Sequence, residues 1–132
     1  MEKENGNILV VEDDPDVRKL TVSLLGKLGY HVKEARDGAE ALAILKQTDT
    51  IDLLLTDAIL PGGKNGPDIA KEGKEIQPDL KVLYMSGYTE EAFANHNLAS
   101  QKSILLQKPF HKAELAEKVQ MALSGKVAHQ NV

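Results

Sequence analysis

Short apolar runs alternate with stretches of helical periodicity along the whole chain. Five runs stand out: Ile8–Val11, a weaker His31–Ala35, Ile51–Thr56, Leu80–Met85 and Ile104–Leu106. Four are nearly continuous in apolar residues, which suits strands covered on both faces, as in a parallel sheet. The second, HVKEA, alternates with polar residues and reads as an edge strand. Between the runs, Val17, Leu20, Leu24 and Leu28 recur at helical spacing, and Gly29 ends that helix. Asp37 and Glu40 form a D-x-x-E start for a second helix that carries Leu42 and Leu45 inward. Pro67 opens a third, charge-rich helix with Gly73 in its interior, ending before Pro78. Thr89–Asn97 reads as a short fourth helix with a weak apolar face. Leu115, Val119 and Ala122 define the fifth. The pattern predicts an α/β fold of (βα)5 type. Its expected divisions are a polar segment 1–6, a domain 7–124 and an aperiodic, flexible tail 125–132.

A length of 132 residues with 42% hydrophobic content fits one core. The absence of cysteine excludes disulfides, cysteine-ligated zinc and thiol nucleophiles. A net charge of −4, without a long basic run, argues against direct nucleic-acid binding. No apolar run approaches the ~18 residues a membrane-crossing helix needs. The start, MEKENGN, lacks the apolar core of a signal peptide. The expected location is cytoplasmic.

Chemistry enters at "NILVVEDDPDV", where four apolar residues run into Glu12, Asp13 and Asp14. At ~4 Å and an effective dielectric near 20, each like-charge pair costs ~4 kcal/mol, so something must relieve the cluster. Asp14 directly precedes Pro15 and reads as a helix cap, with Asp16 in the first turn. A cap needs only one acid. Glu12 and Asp13 remain, at the carboxyl end of a strand, where open α/β sheets bind ligands. The third run ends in Asp57 at the same edge. If the first and third strands are neighbours, three carboxylates converge on one crevice. That oxygen-only set suits a hard divalent cation, Mg²⁺ above all.

Ser86 and Lys108 end the fourth and fifth runs. Taken singly, Ser86-Gly87 is a common turn pair and Lys108 an ordinary surface lysine. Taken together, three acids, a hydroxyl and an ammonium at four strand ends match one chemistry, phosphoryl transfer to a carboxylate. An aspartate oxygen attacks in line while Mg²⁺, lysine and hydroxyl neutralise the phosphoryl oxygens. His31, His96, His111 and His129 have no metal-ligand spacing and read as surface residues; Tyr84 and Met85 read as core.

Over about Asn7 to Leu123 the chain resembles the response-regulator receiver domain of two-component signalling. The resemblance rests on "ILVVEDDPDVR", "DLLLTDAILPG", "VLYMSGY" and "LLQKPF". It implies a flavodoxin-like fold of strand order 2-1-3-4-5, with Asp57 as phosphoacceptor. Asp13, Asp57 and the backbone carbonyl of Ile59 would hold Mg²⁺, with Glu12 acting mainly through water. Ser86 and Lys108 would contact the phosphoryl group. The implied donor is a histidine kinase or histidine phosphotransfer domain. Output to a downstream protein would pass through the face built from the fourth helix, fifth strand and fifth helix. "MSGYTEEAF", "LLQKPF" and "LPGGKNG" resemble in particular the receivers of hybrid sensor histidine kinases. Two features depart from the family pattern. Leu105 stands where many members carry an aromatic ring, and the "PGGKNG" loop is one residue longer than usual. The Lys108–Pro109 bond is expected to be cis, an isomer that X-Pro bonds adopt at a cost of ~0.5–1 kcal/mol. Ile59 and Tyr88, two residues past Asp57 and Ser86, are the expected gatekeepers against hydrolytic water.

Two rival readings use the same residues. One is a small Mg²⁺-dependent phosphohydrolase with an aspartyl nucleophile, in which Asp14-Pro15-Asp16 imitates a D-x-D motif. The other is a receiver-like interaction module that is never phosphorylated.

Overall fold

The strands β1 (Asn7–Val11), β2 (His31–Ala35), β3 (Leu53–Asp57), β4 (Lys81–Ser86) and β5 (Ile104–Gln107) form one sheet. Every pairing is parallel, in the order β2-β1-β3-β4-β5. The computed structural model describes residues 6–48, 50–60, 62–87 and 104–124. The expected fourth helix Thr89–Asn97, the gatekeeper Tyr88, His96, His129 and the tail 125–132 lie outside the described residues. Helices α1 (Pro15–Lys27), α2 (Gly38–Gln47), α3 (Gly66–Ile76) and α4 (Lys112–Ser124) cover the sheet. This is the expected flavodoxin-like three-layer arrangement, with five strands and four helices among the described residues. Among the described residues no helix is long and apolar enough to cross a membrane.

The continuous apolarity of the strands has a direct structural cause. Successive side chains alternate between two cores. Leu9, Val11, Leu54, Tyr84 and Leu105 face the layer that holds Leu42, Leu45, Ile69 and Ala70 of α2 and α3. Ile8, Val10, Leu53, Leu55, Leu83, Met85 and Leu106 face Leu25 of α1 and Leu115, Val119 and Ala122 of α4. Tyr84 and Met85 are core residues, as expected. β2 is an edge strand, also as expected.

Strand boundaries shift slightly from the apolar runs. β3 begins at Leu53, two residues into the run, and the Ile51 amide ahead of it donates to the Gln77 side chain (2.8 Å). It reaches Asp57, which pairs in register with Met85. The acid is thus the last residue of its strand, as Ser86 is of β4.

The α1 stripe needs correction. Leu20 is 56% exposed, while Thr21 and Leu25 are fully buried, so the contact face is rotated by about one residue. Thr21 can be buried because its hydroxyl donates to the Val17 carbonyl at 2.8 Å, leaving no polar group orphaned. Its methyl then packs like an apolar side chain.

The starts of α1 and α2 are as expected, and α3 begins at Gly66, one residue before Pro67. Asp14 caps α1, its Oδ1 accepting from the amides of Asp16 (2.9 Å) and Val17 (3.2 Å). Asp37 caps α2 by accepting the Glu40 amide at 2.9 Å. On α3 the cap is Asn65, in a reciprocal box with Asp68. Gly73 has a packing reason in the middle of that helix: a Cβ there would lie 3.0 Å from Leu80 and 3.1 Å from Leu45. The glycine lets α3 approach closely.

Candidate functional site

Four strand ends deliver the site. β1 stops at Val11, and the chain turns so that Glu12 is buried while Asp13 remains exposed. Neighbouring β3 carries the buried Asp57 to the same edge, since Val11 is in register with Thr56. One carboxylate oxygen from each of Glu12, Asp13 and Asp57 lies within 4.8 Å of the others. Lys108, just past β5, reaches across the end of β4. Its Nζ lies 2.6 Å from Glu12 Oε1 and 2.6 Å from Asp57 Oδ1. The Lys108–Pro109 bond is cis. Ser86 is buried at the end of β4, and its carbonyl accepts the Lys108 amide at 2.8 Å. Asp13, Asp57, Ile59, Ser86 and Lys108 line one crevice of about 440 Å³, together with Met85 and Gly87. Glu12, Asp13, Asp57, Ile59, Ser86 and Lys108 thus meet at one place. His31 and His111, the histidines within the described residues, are exposed, as expected.

Electrostatics make the cluster unusual. Burial, reinforced by the adjoining Glu12 carboxylate, pushes the Asp57 carboxyl up to about 8, although Lys108 works in the other direction. For Glu12, burial also favours the neutral form. Hydrogen bonds from Asp57, Lys108 and the Asp14 amide outweigh it, and its pKa falls. Burial opposes the charge on Lys108 too, but bonding to Asp57 and Glu12 prevails and its pKa rises. The consistent state near neutral pH is one proton shared on the Asp57 side, an ionised Glu12 and an ammonium. The pair therefore holds less negative charge than two carboxylates could, because it lacks enough positive charge nearby. A hard dication would supply that charge, and an all-oxygen donor set within 4.8 Å fits one.

Asp14 is occupied otherwise, since its Oδ1 serves the α1 amides. Two further residues touch the site without having been assigned a role from sequence. A Cβ on Gly66 would collide with the Asp57 carbonyl oxygen, and the Gly66 amide donates to Ala58 at 2.8 Å. The signal for it lay in the glycine-rich "GGKNG" preceding Pro67. Arg18, the last residue of "ILVVEDDPDVR", donates to the Glu12 carbonyl at 2.8 Å.

Acids, a lysine and a hydroxyl at the carboxyl edge of a 2-1-3-4-5 sheet define a flavodoxin-like domain equipped to handle a phosphoryl group. Residues 8–120 match the response regulator receiver domain, and the chain belongs to that family. It is 37% identical over 116 residues to the response regulator receiver protein CpdR of Brucella abortus, covering 88% of this chain and 95% of CpdR. It is also 37% identical over 120 residues to sensor kinase CckA of the same organism, covering 90% of this chain but only 13% of CckA. A solved receiver domain of the hybrid histidine kinase CckA has a TM-score of 0.74 at 38% identity, over 89% of this chain and 99% of that one. The response regulator TrrA of Thermotoga maritima, solved in complex with Mg²⁺–BeF, has a TM-score of 0.73 at 29% identity, with 89% and 99% covered. The chain is a receiver domain of two-component signalling, similar both to a free receiver protein and to the receiver of a hybrid kinase.

Proposed function

We propose that Asp57 accepts a phosphoryl group from a phosphohistidine of a histidine kinase or histidine phosphotransfer domain, in a Mg²⁺-dependent reaction. The observation that carries this reading is the buried Asp57 carboxylate, 2.6 Å from Lys108 and within 4.8 Å of two further acids. An Asp57 carboxylate oxygen forms the new O–P bond as the N–P bond to the donor imidazole breaks. Asp57 must be ionised to attack, so its proton has to leave first. Glu12, Asp13 and Asp57 are the side chains that would hold Mg²⁺, joined by the Ile59 carbonyl. When bound, the ion supplies positive charge that favours the ionised carboxylates and the transferring phosphoryl oxygens. Lys108 holds a cation beside the attacking oxygen. It can follow the phosphoryl oxygens without a change of charge. Ser86 lends a hydroxyl from the end of the adjacent strand.

The role is that of a signalling domain whose chemistry is confined to its own phosphorylation and dephosphorylation. The phosphohydrolase alternative loses support because the first acid of its D-x-D is committed to the α1 cap. The assigned receiver spans 7–124, its location is cytoplasmic, and its output face combines the fourth predicted helix, β5 and α4. Hydrogen exchange that changed on phosphorylation only around α2 would count against that face. The primary test is incubation with acetyl phosphate and Mg²⁺, followed by location of the added phosphate by mass. Stoichiometric addition on Asp57, lost in Asp57→Asn, is expected. Undiminished labelling of that variant would sink the assignment.

A further inference from the structure

We propose that Arg18 is the positioning residue of the acid loop, holding Asp13 at the metal site by tying the Glu12–Asp13 peptide to β2. The inference rests on the reading of Glu12, Asp13 and Asp57 as Mg²⁺ ligands. Glu12 is tethered through each of its polar atoms. Its amide donates to the Ala35 carbonyl (3.0 Å), Oε1 pairs with Lys108 (2.6 Å) and Oε2 accepts the Asp14 amide (3.1 Å). The remaining atom, the carbonyl oxygen, accepts Arg18 Nη1 at 2.8 Å. Arg18 is itself fixed, its Nε lying 3.0 Å from Glu34 Oε1 on β2, with the side chain only 18% exposed.

Asp13 is the opposite case. It is exposed, and its carboxylate has no hydrogen bond or ion pair among the described residues. Its direction is therefore set by its backbone, whose preceding peptide plane is held at the carbonyl by Arg18. A guanidinium is suited to this because its planar fork meets two acceptors at fixed angles, which an ammonium cannot do. Partners of this kind, one bond removed from a metal ligand, usually change metal affinity ~10–100-fold when removed.

Charge alone predicts the reverse sign. Arg18 is a cation close to a proposed cation site, so deleting it should tighten Mg²⁺ binding if it acted only through its field. Positioning predicts weaker binding. A purely structural contribution to α1 would lower thermal stability and leave the affinity of the folded protein unchanged. The three roles are thus separable in one measurement.

The experiment titrates the full chain with Mn²⁺, as a spectroscopic stand-in for Mg²⁺, and follows free Mn²⁺ by electron paramagnetic resonance. Native protein, Arg18→Ala, Arg18→Lys and Asp13→Asn are compared, with Mg²⁺ competition. Arg18→Ala is expected to weaken binding about tenfold, and Arg18→Lys to fall between it and native, despite the retained charge. Unchanged or tighter binding in Arg18→Ala overturns the proposal. If that variant does not fold, Arg18→Lys decides by the same criterion. Asp13→Asn separates the two levels: its failure to weaken binding overturns the metal reading and this inference together. Weakening by Asp13→Asn without weakening by the Arg18 variants overturns this inference alone.

Discussion

Lys108 Nζ lies 2.6 Å from Asp57 Oδ1, although β4 lies between β3, which ends in Asp57, and β5, which Lys108 directly follows. The same nitrogen is 2.6 Å from Glu12, so one cation serves two buried carboxylates. One positive charge is not enough for two negative ones, and the deficit appears on Asp57, pushed up to about 8 by burial first and Glu12 next.

That deficit fixes the sign of a pH effect in the metal-free protein. Between about pH 4 and 8 the folded chain keeps a proton on Asp57 that the unfolded chain has released. Stability therefore falls as pH rises through this window. Glu12 does not cancel it there, because a lowered pKa contributes stability above its ordinary value and loses it only on acidification. The raised pKa of Lys108 matters only in alkali. Asp57→Asn removes the titration, so the variant should gain in melting temperature over native as pH goes from 5 to about 8. Saturating Mg²⁺ should erase much of the native slope. Parallel curves for native and variant without metal would refute the assigned charge state.

Removing the shared cation tests the other partner. Lys108→Met leaves Glu12 and Asp57 without their 2.6 Å neighbour, making the site more negative. Mg²⁺ affinity should hold or rise, whereas labelling by acetyl phosphate should slow at least about tenfold, since a positioned charge on the phosphoryl oxygens is gone. Parallel Mg²⁺ titration and labelling kinetics check it. A variant that labels at the native rate would remove Lys108 from the chemistry.

How much of this was legible beforehand follows from what each pattern encodes. Ile8–Val11 and Leu53–Leu55 read as buried strands because both faces of the sheet are covered, and the acids ended them because strand ends are where polarity resumes. Convergence of Glu12 and Asp57 needed only that β1 and β3 be neighbours. The α1 face was misread because Thr21 counts as polar until its hydroxyl is seen bonded to Val17, four residues earlier. Gln77 was invisible for a similar reason. Its side chain ties the end of α3 to a stretch distant in sequence, bonding the Ile51 amide (2.8 Å) and the carbonyls of Leu45 (2.9 Å) and Thr48 (3.2 Å). No periodicity announces such a contact.

Gln77 therefore makes a clean stability probe away from the site. Gln77→Ala deprives the start of β3 and the end of α2 of three partners at a half-buried position. Water can replace some of them, so a loss of about 1–2 kcal/mol is expected by chemical denaturation. Mg²⁺ binding and Asp57 labelling of the folded variant should stay native. A loss of Mg²⁺ affinity would show that the far ends of α2 and α3 couple to the acids.

The lifetime of the phosphorylated state should depend on Ile59. Hydrolysis of an acyl phosphate on Asp57 needs a water in line with the O–P bond, opposite the carboxylate oxygen. Ile59 sits two residues past Asp57, lines the same crevice and is 46% exposed, so its side chain is available to meet solvent that approaches the site. A branched apolar side chain can exclude water and cannot orient it or take its proton. Asparagine has similar reach but offers a carboxamide that can do the orienting. A change of ~1.4 kcal/mol in the barrier is tenfold in rate, so one ordered water is enough to matter. The native phosphoprotein should be comparatively long-lived, Ile59→Asn should decay several-fold faster, and Ile59→Leu should decay at the native rate. Decay is measured after removal of the phosphodonor, with Mg²⁺ present throughout. If asparagine leaves the rate unchanged, Ile59 is not the gate. If leucine accelerates decay as much as asparagine, loss of shape rather than orientation of water is the cause.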